Sequence, residues 1–203
     1  MSSTLYASLE LFKEFRSIPE DDETRDEAMT APLLAASRQI DRQCSKSPGG
    51  FALGATITSR TYSTAGRTYV DREGEWLLVD DIGSLTGLLV ETGRASSWST
   101  VTGYETGPEN ALERGMPISR LLLPFSNWSS SSGVRVRVTA RFGFPAVPEE
   151  IERATLIQAN RLYMRKDSPQ GVAGNSEWGA IRLGKIDPDV EALIWPFMSP
   201  GFG

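Results

Sequence analysis

Histidine is missing from all 203 residues, and cysteine occurs once, as Cys44. A zinc site or a His-based triad therefore has almost no raw material, and an intrachain disulfide is excluded. No run approaches the roughly 18 apolar residues that cross a bilayer. The first residues (MSSTLYASLELFKEF) also lack the basic-then-apolar order of a signal peptide, so a cytoplasm-like setting is expected. Positive charge is in deficit: the formal net charge is −5, which argues against a surface that grips nucleic acid through counterion release. No Gly-rich phosphate loop joins a strand to a helix, and neither a G-x-S-x-G elbow nor an internal repeat occurs. Asp80-Asp81 and Glu149-Glu150 contain the right groups for acid–base work, but neighbours on a strand point apart and acids opening a helix answer its dipole. No enzyme class, cofactor or metal is expected.

What is present is ordinary globular material, 39% hydrophobic and 23% charged, in a chain long enough for one or two domains. Its organising stretch is Val147–Arg165. Pro148 with Glu149, Glu150 and Glu152 marks a helix start, and Arg161, Arg165 and Lys166 mark its end. Ile151, Ala154, Thr155, Gln158, Ala159 and Leu162 form one apolar face, with Ile157 and Met164 on a second stripe. A helix so patterned is packed on two sides.

Upstream, Ser8 caps a predicted helix Leu9–Arg16, with Leu9, Phe12 and Phe15 on one side and Glu10 and Lys13 facing out. After Ile18-Pro19, the acidic run Glu20–Glu23, whose commoner role is solvation, opens a second helical stretch to about Cys44. Ala28, Pro32, Ala36, Ile40 and Cys44 recur along it, and Pro32 either kinks or divides it. From Phe51 to Phe144 the pattern changes to short β-branched and aromatic runs between glycines: Ala55–Tyr62, Arg67–Val70, Trp76–Val79, Gly87–Thr92, Thr100–Tyr104, Ile118–Leu123 and Val134–Phe142. Ala65-Gly66 and Glu73-Gly74 are candidate hairpin turns, and Ser126–Gly133 a flexible loop tip. In the last run, valines, Ala140 and Phe142 alternate with Arg135, Arg137, Thr139 and Arg141. Three arginines on one face suit a phosphate ladder, although a solvated face is commoner. Trp98, Tyr104 and Trp128 offer a stacking platform for a sugar or base, or else core aromatics.

After a glycine-rich stretch over Asp167–Lys185, Asp187-Pro188 with Asp189 and Glu191 announces a short terminal helix. Val190, Leu193, Ile194, Trp195 and Phe197 make it apolar, and Pro196 and Pro200 stop it. Such a segment docks on its own body or on another chain. The fold class expected is α+β: an N-terminal helical part (1–50) and a C-terminal part with the long helix and docking tail (145–203), interrupted by an inserted antiparallel β domain (51–144).

In their order, TLYASLELFKEF, LLAASRQIDRQC, FGFPAVPEEIERATLIQANRLYMRKDSPQGVAG and IDPDVEALIWPF resemble the head-tail connector proteins of long-tailed bacteriophages, the adaptors that complete the head beneath the portal. The most specific pieces are A-S-R-x-I-D at Ala36–Asp41, the helix ending at Arg161–Arg165 with SPQGVAG after it, and the Asp187-Pro188 helix. Compact members of that family are largely helical, so the β insertion departs from them. The resemblance implies a non-enzymatic virion protein of the neck, present in host cytoplasm during assembly, that forms a homo-oligomeric ring, a dodecamer. Its partners would be the portal protein, a tail-side stopper or tail-completion protein, and genomic DNA passing through the lumen without specific binding. Glu149, Glu152, Arg161 and Arg165 would belong to the ring or channel helix, and Val190, Leu193, Ile194, Trp195 and Phe197 to the portal contact. Two alternatives are another neck ring, such as a stopper or tail terminator, and a carbohydrate- or nucleic-acid-binding module in the β region.

Overall fold

The computed structural model describes residues 4–128, 133–165 and 186–198; the sequence-based readings for Asp167–Lys185, Pro200 and the tip of the Ser126–Gly133 loop lie outside them. The architecture is α+β, in two compact units: residues 1–51 with 147–203, and residues 52–146. The described elements of the first are helical, and those of the second are strands of one sheet and a single 3-10 turn.

In the helical unit, α1 (Leu9–Phe15) begins at Ser8, whose side chain accepts from the Leu11 amide. Phe12 is fully buried, and so, against expectation, is Lys13, at 4% exposure. Lys13 pairs with Asp26 at 2.7 Å and donates to the Glu20 carbonyl at 3.0 Å, which makes its burial tolerable. Helix α2 (Asp26–Gln43) runs through Pro32 without being divided. Its buried stripe is Met29, Leu33, Ala36, Ser37, Ile40 and Asp41, one residue on from the predicted Ala28–Pro32 start. Helix α3 (Glu149–Met164) buries the predicted face, but its second contact is made by Leu156 and Tyr163 rather than by Met164, which is 51% exposed. Leu156 and Ala159 close a cluster with Ala7, Phe12, Met29, Leu33 and Ala36. All three helices thus share one apolar centre.

A polar centre lies beside it. Asp41, 2% exposed, accepts from the Tyr6 hydroxyl and from the Gly49 amide at 3.1 Å, and pairs with Arg38 at 3.2 Å. The Tyr6 hydroxyl in turn accepts from the Phe51 amide at 3.2 Å, while the Tyr6 amide donates to Ser37 Oγ at 3.3 Å. Arg38 also donates to the Thr4 carbonyl at 2.7 Å. Burial pushes the Asp41 carboxyl above its usual range, against the hydrogen bonds that favour its charge. The A-S-R-x-I-D stretch is therefore a lock that holds the N-terminal segment and the chain's exit from α2.

The β unit is organised by one long strand. The two expected runs at Trp76–Val79 and Gly87–Thr92 are a single strand, β3 (Gly74–Arg94), with register shifts between Leu78 and Leu89. The other strands are β1 (Thr58–Ser63), β2 (Thr68–Val70), β4 (Ser97–Thr100), β5 (Glu105–Gly107), β6 (Ile118–Pro124) and β7 (Arg135–Phe142), all paired antiparallel in the order β1-β7-β3-β6-β5, with β2 and β4 also on β3. The predicted Thr100–Tyr104 strand is instead the connection between two strands, since β4 ends at Thr100 and β5 begins at Glu105. Glu73-Gly74 does turn a hairpin, where the Asp71 amide donates to the Gly74 carbonyl. Ala65-Gly66 is a turn without one, because β1 pairs with β7 instead of β2. The first half of β3 carries β2 and β6 and the second half β4 and β7, yet Leu77, Ile82, Val90, Leu121, Trp128 and Val138 belong to one core cluster. Register shifts bend the strand so that both halves close over that core. At Gly143 (φ +117°) a Cβ would lie 2.0 Å from the Ala52 carbonyl oxygen, so only glycine permits that crossing.

Replacing Asp41 by Ala leaves the Tyr6 hydroxyl, the Gly49 amide and Arg38 without their buried acceptor and is expected to cost about 3 kcal/mol. Tyr6→Phe removes one of the donors to Asp41 and leaves the Phe51 amide without its acceptor, and should cost about 2 kcal/mol. Urea unfolding of both variants checks the difference.

Candidate interaction surface

Helix α4 (Pro188–Ile194) is positioned by its first residues. Asp187 accepts from the Asp189 amide at 3.0 Å, capping the helix, and Pro188 supplies the first-turn φ. The Asp187 amide donates to Gln158 Oε1 at 3.4 Å, and Gln158 Nε2 donates to Gln39 Oε1 at 2.6 Å. Gln158, 1% exposed, thus ties α2, α3 and α4 through one side-chain amide, a role the apolar periodicity of α3 did not signal. Arg161 Nη1 stands 3.8 Å from Asp187 Oδ2 with its side chain 14% exposed, so this arginine braces α4 against α3.

The five apolar residues of the terminal segment separate. Val190 and Ile194 are fully buried within their own chain, and Leu193 is half-buried. Phe197 meets the buried Phe51 ring edge-on, centroids 5.7 Å apart, and Phe51 meets Tyr6 the same way at 5.7 Å. Trp195 is 69% exposed. Of the set, Trp195 is the large side chain left facing water. On α3, Glu149 and Arg165 are exposed and Glu152 is half-buried.

The β unit's candidate ligand groups are largely taken up by its own structure. Trp128 is fully buried, and its indole N–H donates to the Glu75 carbonyl at 2.8 Å. It has no free face for stacking. Trp98 carries Arg137 over its ring at 4.4 Å, and Arg137 makes two bonds to Glu91, at 2.7 and 2.8 Å. The arginine holds the Glu91 carboxyl below its usual range. Arg141 donates to the Gly54 carbonyl at 3.0 Å. Two of the three arginines are thus engaged within the fold, which breaks the phosphate ladder, and with Trp128 buried and Tyr104 packed partly buried on the same core, Trp98, Tyr104 and Trp128 do not form one platform. Among the described residues no cluster of His, Cys, Asp and Glu could hold a metal ion, and no helix is long and apolar enough to cross a membrane.

No family model and no curated protein matches the chain. Among solved structures, it is similar to a chain of one described as "Neck of empty GTA particle computed with C6 symmetry", at 19% identity and a TM-score of 0.55, over 97% of this chain and 91% of that one. The two share a fold. Coverage of 97% takes in both the helical and the β unit of the present chain. The α+β class with a β region set between helical parts is thereby a fold that the neighbouring structure also contains.

Two predictions follow from this geometry. Ile194→Ala is expected to speed hydrogen exchange of the Val190–Ile194 amides by loosening α4, whereas Trp195→Ala should leave it unchanged. For Glu91, whose folded carboxyl titrates low, the stabilisation is present above the ordinary carboxylate value of about 4.3 and is lost as pH falls through the lowered one. The melting temperature of Glu91→Gln should accordingly lie below wild type at neutral pH, with the gap closing as the buffer is acidified.

Proposed function

We propose that this chain is a structural neck protein of a phage-like particle, and specifically the head-tail adaptor that forms a ring beneath the portal and continues the DNA channel. The observation that carries this reading is the likeness in fold, over nearly the whole of both chains, to a neck particle component. Two sequence features support it independently. The A-S-R-x-I-D stretch and the Asp187-Pro188 helix, on which the resemblance to connector proteins rests, have architectural roles: one locks the helical unit and the other docks the terminal segment. The acidic total also suits a channel that DNA must pass without sticking.

In this reading α3 is the ring or channel helix, with Glu149, Glu152 and Arg165 available to neighbours or lumen and Arg161 acting as a brace. The terminal segment is the portal contact. Trp195 is its anchor, while Val190 and Ile194 hold the segment in place. The tail-side face receives a stopper or tail-completion protein. Twelve copies obey six-fold symmetry as well as six do, so ring stoichiometry is a question of mass.

Trp195→Ala is expected to leave the fold intact and to weaken attachment to portal-bearing particles by about 2 kcal/mol, close to thirtyfold. Co-sedimentation with such particles measures it, and unchanged attachment would remove Trp195 from the contact. Light scattering and negative-stain imaging with and without the particles test the reading itself. Rings beneath the portal are the expected result; a chain indifferent to portals would overturn the adaptor role.

A further inference from the structure

The seam between α1 and α3 carries two arginines that lie against aromatic rings. Arg16 stands over Tyr163, 4.6 Å from the ring centre, and Arg153 over Phe15 at 4.9 Å. Arg16 Nη1 also donates to Asn160 Oδ1 and reaches Met164 Sδ at 3.3 Å. Arg153, Asn160 and Met164 follow one another by seven and four residues on α3, so they share one side of it. These contacts join the side chains into one face, on which Met164 and Arg153 are exposed. Stacking holds each guanidinium in a fixed plane. Neither arginine forms an ion pair among the described residues, and Arg16 Nε is buried without a hydrogen-bond partner.

The opposite charge stands at the other contact of α1, where Lys13 meets the start of α2. Glu20, Asp21 and Glu23 are exposed, and none of them forms an ion pair among the described residues. Lys13, the nearby buried cation, is already committed to Asp26. The run has a fixed shape: the Glu20 carbonyl accepts from Lys13 Nζ at 3.0 Å, and Asp22 caps the turn Glu23–Arg25 by accepting from the Thr24 amide at 3.1 Å. Residues 52–146 balance nine arginines against nine acids, whereas the helical unit sets twelve lysines and arginines against seventeen acids. The net charge of −5 therefore belongs wholly to the helical unit. The seam arginines and the acidic run lie in that one unit, yet they do not meet within it.

We propose that the Arg16–Arg153 face of one copy receives the Glu20–Glu23 run of the next. The inference rests on the ring reading above. A ring closed by rotation joins subunits head to tail, so each copy must present two different surfaces that fit one another. Here one surface is cationic and aromatic, the other is acidic, and they sit at different contacts of α1. A planar guanidinium offers paired N–H groups that match a carboxylate, and tyrosine, methionine and arginine are the residue types that interfaces favour. Duplex DNA is the poorer occupant. Gripping it through counterion release takes a broad cationic surface, whereas these two arginines are interleaved with rings on the unit that holds all of the negative net charge. Charge pairs of this kind set the register and rate of assembly more than its depth, so the remaining contact lies elsewhere.

Charge reversal in trans tests this. One chain carries Arg16→Glu and Arg153→Glu, and a second carries Glu20→Lys, Asp21→Lys and Glu23→Lys. Each should form rings at least tenfold less readily than wild type, since like charges then face each other at every junction. Light scattering measures this for the free chain, and negative-stain imaging for the chain on portal-bearing particles. Mixed in equal amounts, the two should recover rings, because an alternating ring pairs opposite charges throughout; a chain with all five changes should recover them alone. Arg16 also bonds Asn160, so the exposed Arg153→Glu by itself serves as the version with an unchanged melting temperature, and it should shift ring formation in the same direction. Normal rings from either reversed chain, or rings lost and not recovered by mixing, would overturn the contact and leave the ring reading standing. Loss confined to the arginine variant, with a labelled DNA duplex bound by wild type and not by that variant, would give the face to phosphate instead. A wild-type chain that forms no multimer, alone or on portal-bearing particles, would overturn both.

Discussion

The helical unit depends on one buried carboxylate. Asp41 is almost completely removed from water, and burial raises the free energy of its charged form, yet it receives a hydroxyl, a backbone amide and a guanidinium in a single small volume. Those donors come from three separate stretches: the segment before α1, the body of α2 and the loop after it. A salt-bridged aspartate in such a place adds little net stability compared with an apolar residue of the same shape. What it adds is geometry, because only one arrangement of Tyr6, Arg38 and Gly49 satisfies it. That arrangement also fixes Phe51, whose amide bonds to Tyr6 and whose ring receives Phe197. The last described turn of the chain is thus seated on a residue whose place is set by the polar lock.

Packing and polar satisfaction divide the work differently in the two units. The helical unit combines a modest apolar cluster with several buried or half-buried polar ties: Lys13 to Asp26, Gln158 to Gln39, Arg161 to Asp187. The β unit relies on a larger aliphatic and aromatic core and places its ion pairs on the outer face, as with Arg137 and Glu91 across the β3–β7 register. Networks of the first kind specify orientation, which suits a unit that holds a docking segment. A core of the second kind gives a stiff sheet.

Much of this was legible in the sequence where one physical signal dominates. Ser8 and Asp187 cap as their positions predict, the burial of β7 alternates as its valines do, and α3 buries the face its period marks. Signals failed where two effects competed. Lys13 reads as a surface residue because lysine usually is one, and only the tertiary placement of Asp26 makes its burial cheap. The long β3 reads as two strands because Gly83 and Gly87 interrupt its apolar run, although they mark bends and close approaches inside one strand. The role of Asp41 in the A-S-R-x-I-D stretch is not readable from sequence, since a buried acid has no periodic signature. Of the terminal segment, the docking character was readable, but the division between inward Val190 and Ile194 and outward Trp195 required the helix to be placed.

The unit composed of both chain ends imposes an order on synthesis. Residues 52–146 form a continuous stretch and can close their own core as soon as β7 has left the ribosome. The N-terminal helices cannot. Phe12, Met29 and Leu33 find part of their cover only in Leu156 and Ala159, more than a hundred residues later in the chain. Until α3 emerges, these side chains are without that cover, and the nascent protein carries a finished sheet behind an unfinished helical half. The helical unit, with the terminal segment seated on it, therefore comes into being last, after the sheet that joins its two parts in sequence has already set.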